Sequence, residues 1–217
     1  MSYENTNSLR LVMVIDRSES LGDDFTKVKE YAIQFVQKIF TEVDDVQIGI
    51  VDFSDDVNSL PLTNNQQNLE NYINDLQPGK FTSLYDAMNT AIDMLIGITA
   101  ESKSILTFTD GADNNSDVIA SHTEIREKLL NDPSDVKISS FTIGLNGNGD
   151  VEESILSGLS VNGGISQFPK SISELDKAFQ NFSRAIANVY NLTYTRNQQK
   201  IPETSKAQLK FVIESHL

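Results

Sequence analysis

Five oxygen-bearing side chains stand at three separate points of the chain. The stretch "VIDRSES" carries Asp16, Ser18 and Ser20 at alternate positions, Thr82 lies in "PGKFTSLYD", and Asp110 directly follows "SILTFT". Two carboxylates and three hydroxyls form a hard-oxygen donor set. Such a set suits Mg²⁺, which takes near-octahedral oxygen at about 2.0–2.1 Å and keeps some of its waters. Mn²⁺ accepts the same donors, so the residues leave both ions open. The chain has no cysteine, and its two histidines are His122 and His216. Thiolate sites are excluded, no imidazole joins the set, and zinc and copper are disfavoured. Two carboxylates neutralise a dication, while uncharged hydroxyls leave it electrophilic toward an outside carboxylate.

The D-x-S-x-S spacing has a geometric reason. Alternate residues of an extended segment aim their side chains to one side. The same rule sends Arg17 and Glu19, which occupy the gaps, away from the site, and both are expected in solvent.

Other candidate chemistry is weaker. The acidic stretch "DFSDD" at 52–56, taken with Asp113, lacks calcium-loop spacing and reads as solvated turns. "GLNGNGD" at 144–150 has neither the G-x-G-x-x-G spacing nor a P-loop lysine and reads as a turn. An aspartate after a first strand invites Mg²⁺-dependent phosphoryl transfer with Asp16 as nucleophile. Phosphatases of that kind carry D-x-D, however, and this chain has Ser18 at the second position. The two histidines support no catalytic triad. The expectation is that the protein is not an enzyme.

The elements that must position these residues alternate along the chain. "LRLVMVI" (9–15), "VQIGIVDF" (46–53), "SILTFT" (104–109) and "VKISSFTIG" (136–144) read as strands covered on both faces. "VNSLPL" (57–62) reads as an edge strand because of Pro61, and "ISQF" (165–168) as a weak one. Helical spacing runs through Phe25, Val28, Ala32, Phe35, Val36, Ile39 and Val43, and recurs at 69–76, 83–97, 121–131, 151–160 and 171–190. Strand–helix alternation predicts a doubly wound α/β fold, a mainly parallel sheet flanked by helices with one antiparallel edge strand. Sites in such sheets lie beyond the carboxyl ends of the strands. If the strands ending at Asp16 and Asp110 are neighbours, the two carboxylates meet there. The tail departs from the pattern. "NLTYTR" and "AQLKFVIE" alternate with period two and predict a β-hairpin. The domain reading is a tail at 1–8, a main domain at 9–190 and an appended hairpin at 191–217.

With 217 residues the chain suits one such domain with an appendage. Its formal net charge of −14, without a basic cluster, disfavours nucleic acid and anionic membrane as partners. "MSYENTNSLR" has no signal-peptide character, and no apolar run is long enough to cross a bilayer. The expected setting is cytoplasmic.

"DRSES", the Thr82 loop and "TFTDG" together resemble the metal ion-dependent adhesion site (MIDAS) of von Willebrand factor type A domains. The resemblance covers about residues 9–190, and "GNGDVEESILSGLSVNGGISQF" resembles that family's passage from fifth strand to sixth. It implies a Rossmann-like fold and a complete metal site. By that resemblance the hydroxyls of Ser18, Ser20 and Thr82 would ligate Mg²⁺ or Mn²⁺ directly, and Asp16 and Asp110 would act directly or through water. One coordination position is left for an Asp or Glu of a protein partner. The implied molecule is a monomer or a member of a hetero-complex; a scaffold subunit whose contacts ignore the metal is the alternative. In the family, displacement of the last helix, here 171–190, can couple to metal coordination. Two departures are Arg17 in the first gap and Glu19, which stands where the family commonly has glycine.

Overall fold

The computed structural model describes residues 8–146 and 151–187. Among them six strands form one sheet in the order β3-β2-β1-β4-β5-β6. The strands are β1 (Ser8–Asp16), β2 (Asp45–Phe53), β3 (Val57–Thr63), β4 (Ser102–Thr109), β5 (Ile138–Gly144) and β6 (Ser166–Gln167). β1 lies at the centre, parallel to β2 on one side and to β4 on the other. β3 is the antiparallel edge and pairs only with β2. Pro61, which has no N–H to donate, sits where that ladder shifts register opposite Ile48 and Ile50. The doubly wound architecture is therefore the one the sequence pattern predicts. The expected hairpin at 191–217 lies outside the described residues, as does most of the 144–150 turn.

Both faces of the sheet are covered. Odd-numbered β1 residues Leu11, Met13 and Ile15 pack against α1 (Phe25–Glu42), α2 (Gln66–Asp75) and α6 (Ile172–Ala187). Even-numbered Val12 and Val14 pack against α3 (Leu84–Leu95), α4 (His122–Leu130) and α5 (Glu153–Leu159). This is why β1 reads as a continuous apolar run rather than an alternating one. α1 buries Phe25, Val28, Ala32, Phe35, Val36 and Ile39, one stripe at three- and four-residue spacing. It begins at Phe25, where the helical spacing begins. Residues Glu19–Asp24 form a short 3-10 helix broken at Gly22, whose φ of 49° suits glycine.

α6 is seated by aromatic contacts. The Phe179 ring lies 6.0 Å from Phe35 of α1 and 6.2 Å from Phe108 of β4, and Phe182 meets Phe141 of β5 edge-on at 5.6 Å. Such pairs add about 0.5–1.5 kcal/mol each beyond the area they bury. Every residue of β4 is buried. One is Lys103, whose ammonium lies 3.4 Å from both the Asp132 carboxylate and the Leu95 carbonyl. The hydroxyls of Ser104 and Thr107 are buried without a hydrogen-bond partner.

Candidate metal centre

β1 and β4 are adjacent, and the strand order turns in opposite directions from that pair. Their carboxyl ends therefore open a crevice, the place where open α/β sheets hold ligands. Asp16 closes β1 and is fully buried. Its Oδ1 accepts from the Ser18 amide at 2.8 Å and its Oδ2 from the Thr109 hydroxyl at 2.6 Å. Burial, and next the negative charge of Asp110, push the Asp16 carboxyl up from 3.8 to about 6, although Thr109 and Ser18 pull it down. Two acids facing each other in a largely buried setting resist joint ionisation, and a cation between them removes the conflict.

Ser18 and Ser20 converge on the second acid. Their hydroxyls are 2.9 Å apart, and they reach Asp110 Oδ1 at 3.3 and 2.9 Å. Thr82 arrives from the loop before α3. Its amide donates to Asn114 Oδ1 at 2.9 Å, and its carbonyl accepts from the Asn114 amide at 3.0 Å. Those bonds occupy the backbone of Thr82 and leave its hydroxyl to the cavity. A Cβ placed on Gly111 would lie 3.8 Å from Thr82 Oγ1, so the hydroxyl stands beside the Asp110 turn. Ser18, Ser20, Thr82 and Asp110 line one open cavity of about 520 Å³. Asp16 lies behind it, joined through Ser18 and Thr109. All five predicted residues thus gather at one end of the sheet.

The loops are fastened to one another. Gly79 donates to the Arg17 carbonyl at 2.9 Å and accepts from the Glu19 amide at 2.7 Å. A Cβ at Gly79 would lie 2.1 Å from Ser54 Oγ, so only glycine permits this approach. Asp113 Oδ2 accepts from the Tyr85 amide at the start of α3. Asp86 accepts from the amides of Asp117, Val118 and Ile119. The loops bearing Thr82 and Asp110 therefore form a single hydrogen-bonded body.

One expectation is overturned. Arg17 does not point to solvent; it is 9% exposed. It continues the odd-numbered stripe of Leu11, Met13 and Ile15, so alternation carries it under the sheet toward α2 rather than outward. Its Nε donates to Asp52 Oδ1 at 2.5 Å, its terminal nitrogens to Asp56 and to the Gln77 carbonyl. Tyr72 of α2 donates to the other Asp52 oxygen at 2.6 Å. Burial and that carboxylate push the Tyr72 phenol well above its ordinary value. Glu19 is exposed, as expected.

The acidic stretch at 52–56 divides: Asp55 and Asp56 are exposed in the turn, as expected, whereas Asp52 is not solvated. Asp52 is buried, and Arg17 and Tyr72 occupy it; Asp55 accepts from the Lys80 amide, and Asp56 from Arg17 and Asn58. Among the described residues no group of three or more His, Cys, Asp and Glu is placed to hold a metal ion. The candidate centre has two carboxylates, with hydroxyls as its other donors. His122 opens α4 and stands 6.4 Å from the Tyr85 ring. Thr109 and Asn114 escaped the sequence reading. Thr109 was identifiable as the hydroxyl preceding Asp110 at a strand end; Asn114 had no signal before its loop was seen folded onto Thr82.

The family model of the von Willebrand factor type A domain matches residues 11–185. No curated protein sequence matches the chain. Solved structures share the fold at low identity. The PilB minor pilin from Streptococcus sanguinis is 13% identical with a TM-score of 0.71, over 86% of this chain and 63% of the pilin. The vWF domain of the type V pili tip protein Mfa5 from Porphyromonas gingivalis is 16% identical with a TM-score of 0.66, over 87% of this chain and 99% of that domain. Proximal thread matrix protein 1 from the mussel byssus, solved with a zinc occupied MIDAS motif, is 16% identical with a TM-score of 0.70, over 84% of this chain and 46% of that protein. The chain thus spans less than two thirds of the pilin and under half of the byssus protein.

Proposed function

This chain belongs to the von Willebrand factor type A domain family, and on that premise we propose that it is a non-enzymatic binding module working through a metal centre. Ser18, Ser20, Thr82, Asp16 and Asp110 would hold Mg²⁺ or Mn²⁺. The bound ion supplies a Lewis-acid vertex for the carboxylate of an Asp or Glu on a protein partner. The convergence of the Ser18 and Ser20 hydroxyls on Asp110 Oδ1 carries this reading. Three further observations fit a hard cation. The cavity offers oxygen donors, the Asp16 carboxyl is held up to about 6 by burial and by Asp110, and the Thr82 hydroxyl opens into the same space. The byssus protein's MIDAS contained zinc, but an oxygen-only set here favours Mg²⁺ or Mn²⁺.

The placement of Asp16 speaks against phosphoryl transfer. A nucleophilic carboxylate needs a path to substrate, whereas Asp16 is fully buried with both oxygens hydrogen-bonded. A scaffold that ignores the metal remains the rival. Partner capture from lysate in Mg²⁺, repeated in EDTA, separates the two. Loss of the partner in EDTA supports the metal reading; retention overturns it and favours the scaffold.

We place the domain at 9–190, with a tail at 1–8 and a hairpin at 191–217, a division that limited proteolysis tests. Ser8 already belongs to β1, so the tail contributes one residue to the sheet. Among the described residues no helix is long and apolar enough to cross a membrane. The cytoplasmic setting stays a proposal, which cell fractionation checks.

A further inference from the structure

The segment before Thr82 is rigid in its backbone and open in its side chains. Gly79 is paired on both sides with Arg17 and Glu19, the Lys80 amide donates to Asp55 Oδ2 at 2.6 Å, and Asn114 clamps Thr82. Between these anchors Lys80 and Phe81 project outward. Phe81 is 47% exposed and is the one aromatic among the exposed large hydrophobic residues described. Lys80 is exposed and is the one cationic residue lining the metal cavity. Among the described residues its ammonium makes no hydrogen bond or ion pair, and none joins it to Glu19 across the Gly79 bridge.

We propose that Lys80 and Phe81 determine which acidic partner the centre accepts. They select protein segments that carry, beside the carboxylate directed at the metal, a second acidic side chain within reach of Lys80 and an apolar side chain over Phe81. The proposal rests on reading Asp16, Ser18, Ser20, Thr82 and Asp110 as a metal centre. A carboxylate on a metal is a chemistry any acidic surface offers, so selectivity must come from the rim. An aromatic ring and a cation on pre-ordered backbone supply it at little entropic cost on binding. Charge chooses the class of partner. A chain of net charge −14 with one cation at this cavity repels lipid and nucleic acid surfaces, and it pairs locally with a single extra acid.

The test is selection from a random-peptide display library on the full chain in Mg²⁺, eluting with EDTA and sequencing what elutes. The parent is expected to enrich peptides with two acids and an adjacent apolar residue. Lys80→Glu should exchange the second acid for a base and weaken the parent's peptides by roughly fivefold, the scale of one exposed charge pair. Phe81→Ala should remove the apolar preference. Both positions are exposed, so unchanged melting in EDTA certifies that the variants fold. Parent peptides with one acid and no apolar bias overturn the proposal, as does identical selection by the parent and Lys80→Glu. If nothing elutes from the parent with EDTA, the metal reading itself fails and takes the proposal with it.

Discussion

Arg17 Nε donates to Asp52 Oδ1 across 2.5 Å, and both side chains are withdrawn from water. The contact joins the loop carrying Ser18 and Ser20 to the end of β2, and Tyr72 extends it to α2. A buried pair is costly to break from one side because the survivor keeps its charge without compensation. Arg17→Ala should therefore lose about 3–5 kcal/mol in denaturant unfolding. Arg17→Met combined with Asp52→Leu should recover most of it, since replacing both charges is often neutral. An Arg17→Ala protein within about 1 kcal/mol of the parent would refute a buried pair, given that exposed pairs contribute no more than this.

Metal binding should raise the melting temperature by mass action. Mg²⁺ at a hundred times its Kd stabilises by about 2.7 kcal/mol. For a chain of this length that is about 5–10 °C. Asp110→Ala and the double variant Ser18→Ala with Ser20→Ala should abolish the shift, and Thr82→Ala should shrink it. Differential scanning fluorimetry in EDTA and in Mg²⁺ reads each case, and a full shift retained by Asp110→Ala would sink the assignment.

The Asp16 carboxyl gives the metal-free protein a pH signature. In the folded state it keeps its proton up to about 6, and in the unfolded chain only to about 3.8. Between those values the folded state binds more protons, so stability falls as pH rises through the window. A shift of this size corresponds to about 3 kcal/mol at most. A divalent ion competes with the same proton, so Mg²⁺ affinity should climb between pH 5 and 7, as seen by calorimetry. Asp16→Asn should flatten both curves. Affinity that is level across that range would show Asp16 already ionised without the metal.

The unpartnered hydroxyl of Thr107 on β4 is a cost with no return in the described contacts. Thr107→Val keeps the shape and removes the buried polar atom, and should stabilise the fold by about 1–2 kcal/mol. Chemical denaturation measures the gain; a loss would mean that an ordered water satisfies the hydroxyl.

What the sequence made legible follows from periodicity. β1 and β4 read as strands because both of their faces are covered, and Asp16 and Asp110 read as site residues because each ends such a strand. Thr82 was legible because it stands in the loop just before a helix. Long-range partners stayed hidden. Arg17 goes inward because Asp52 and Tyr72, far along the chain, wait beneath it. The zipper between the start of α3 and the loop after β4, made by Asp86 on one side and Asp113 on the other, depends on two segments folding onto each other, and neither carries a local pattern. The short 3-10 segment before α1 turns on one backbone angle at Gly22, which residue type alone does not fix.

The hydroxyl of Ser18 meets the carboxylate of Asp110 across 92 positions of sequence. A nascent or denatured polypeptide holds these groups far apart and offers an ion no enclosure. On the proposed reading, occupancy would therefore certify a finished tertiary structure: a chain that lost its shape would surrender its cation and, with it, its grip on any binding partner, so a damaged copy would fall silent instead of adhering wrongly.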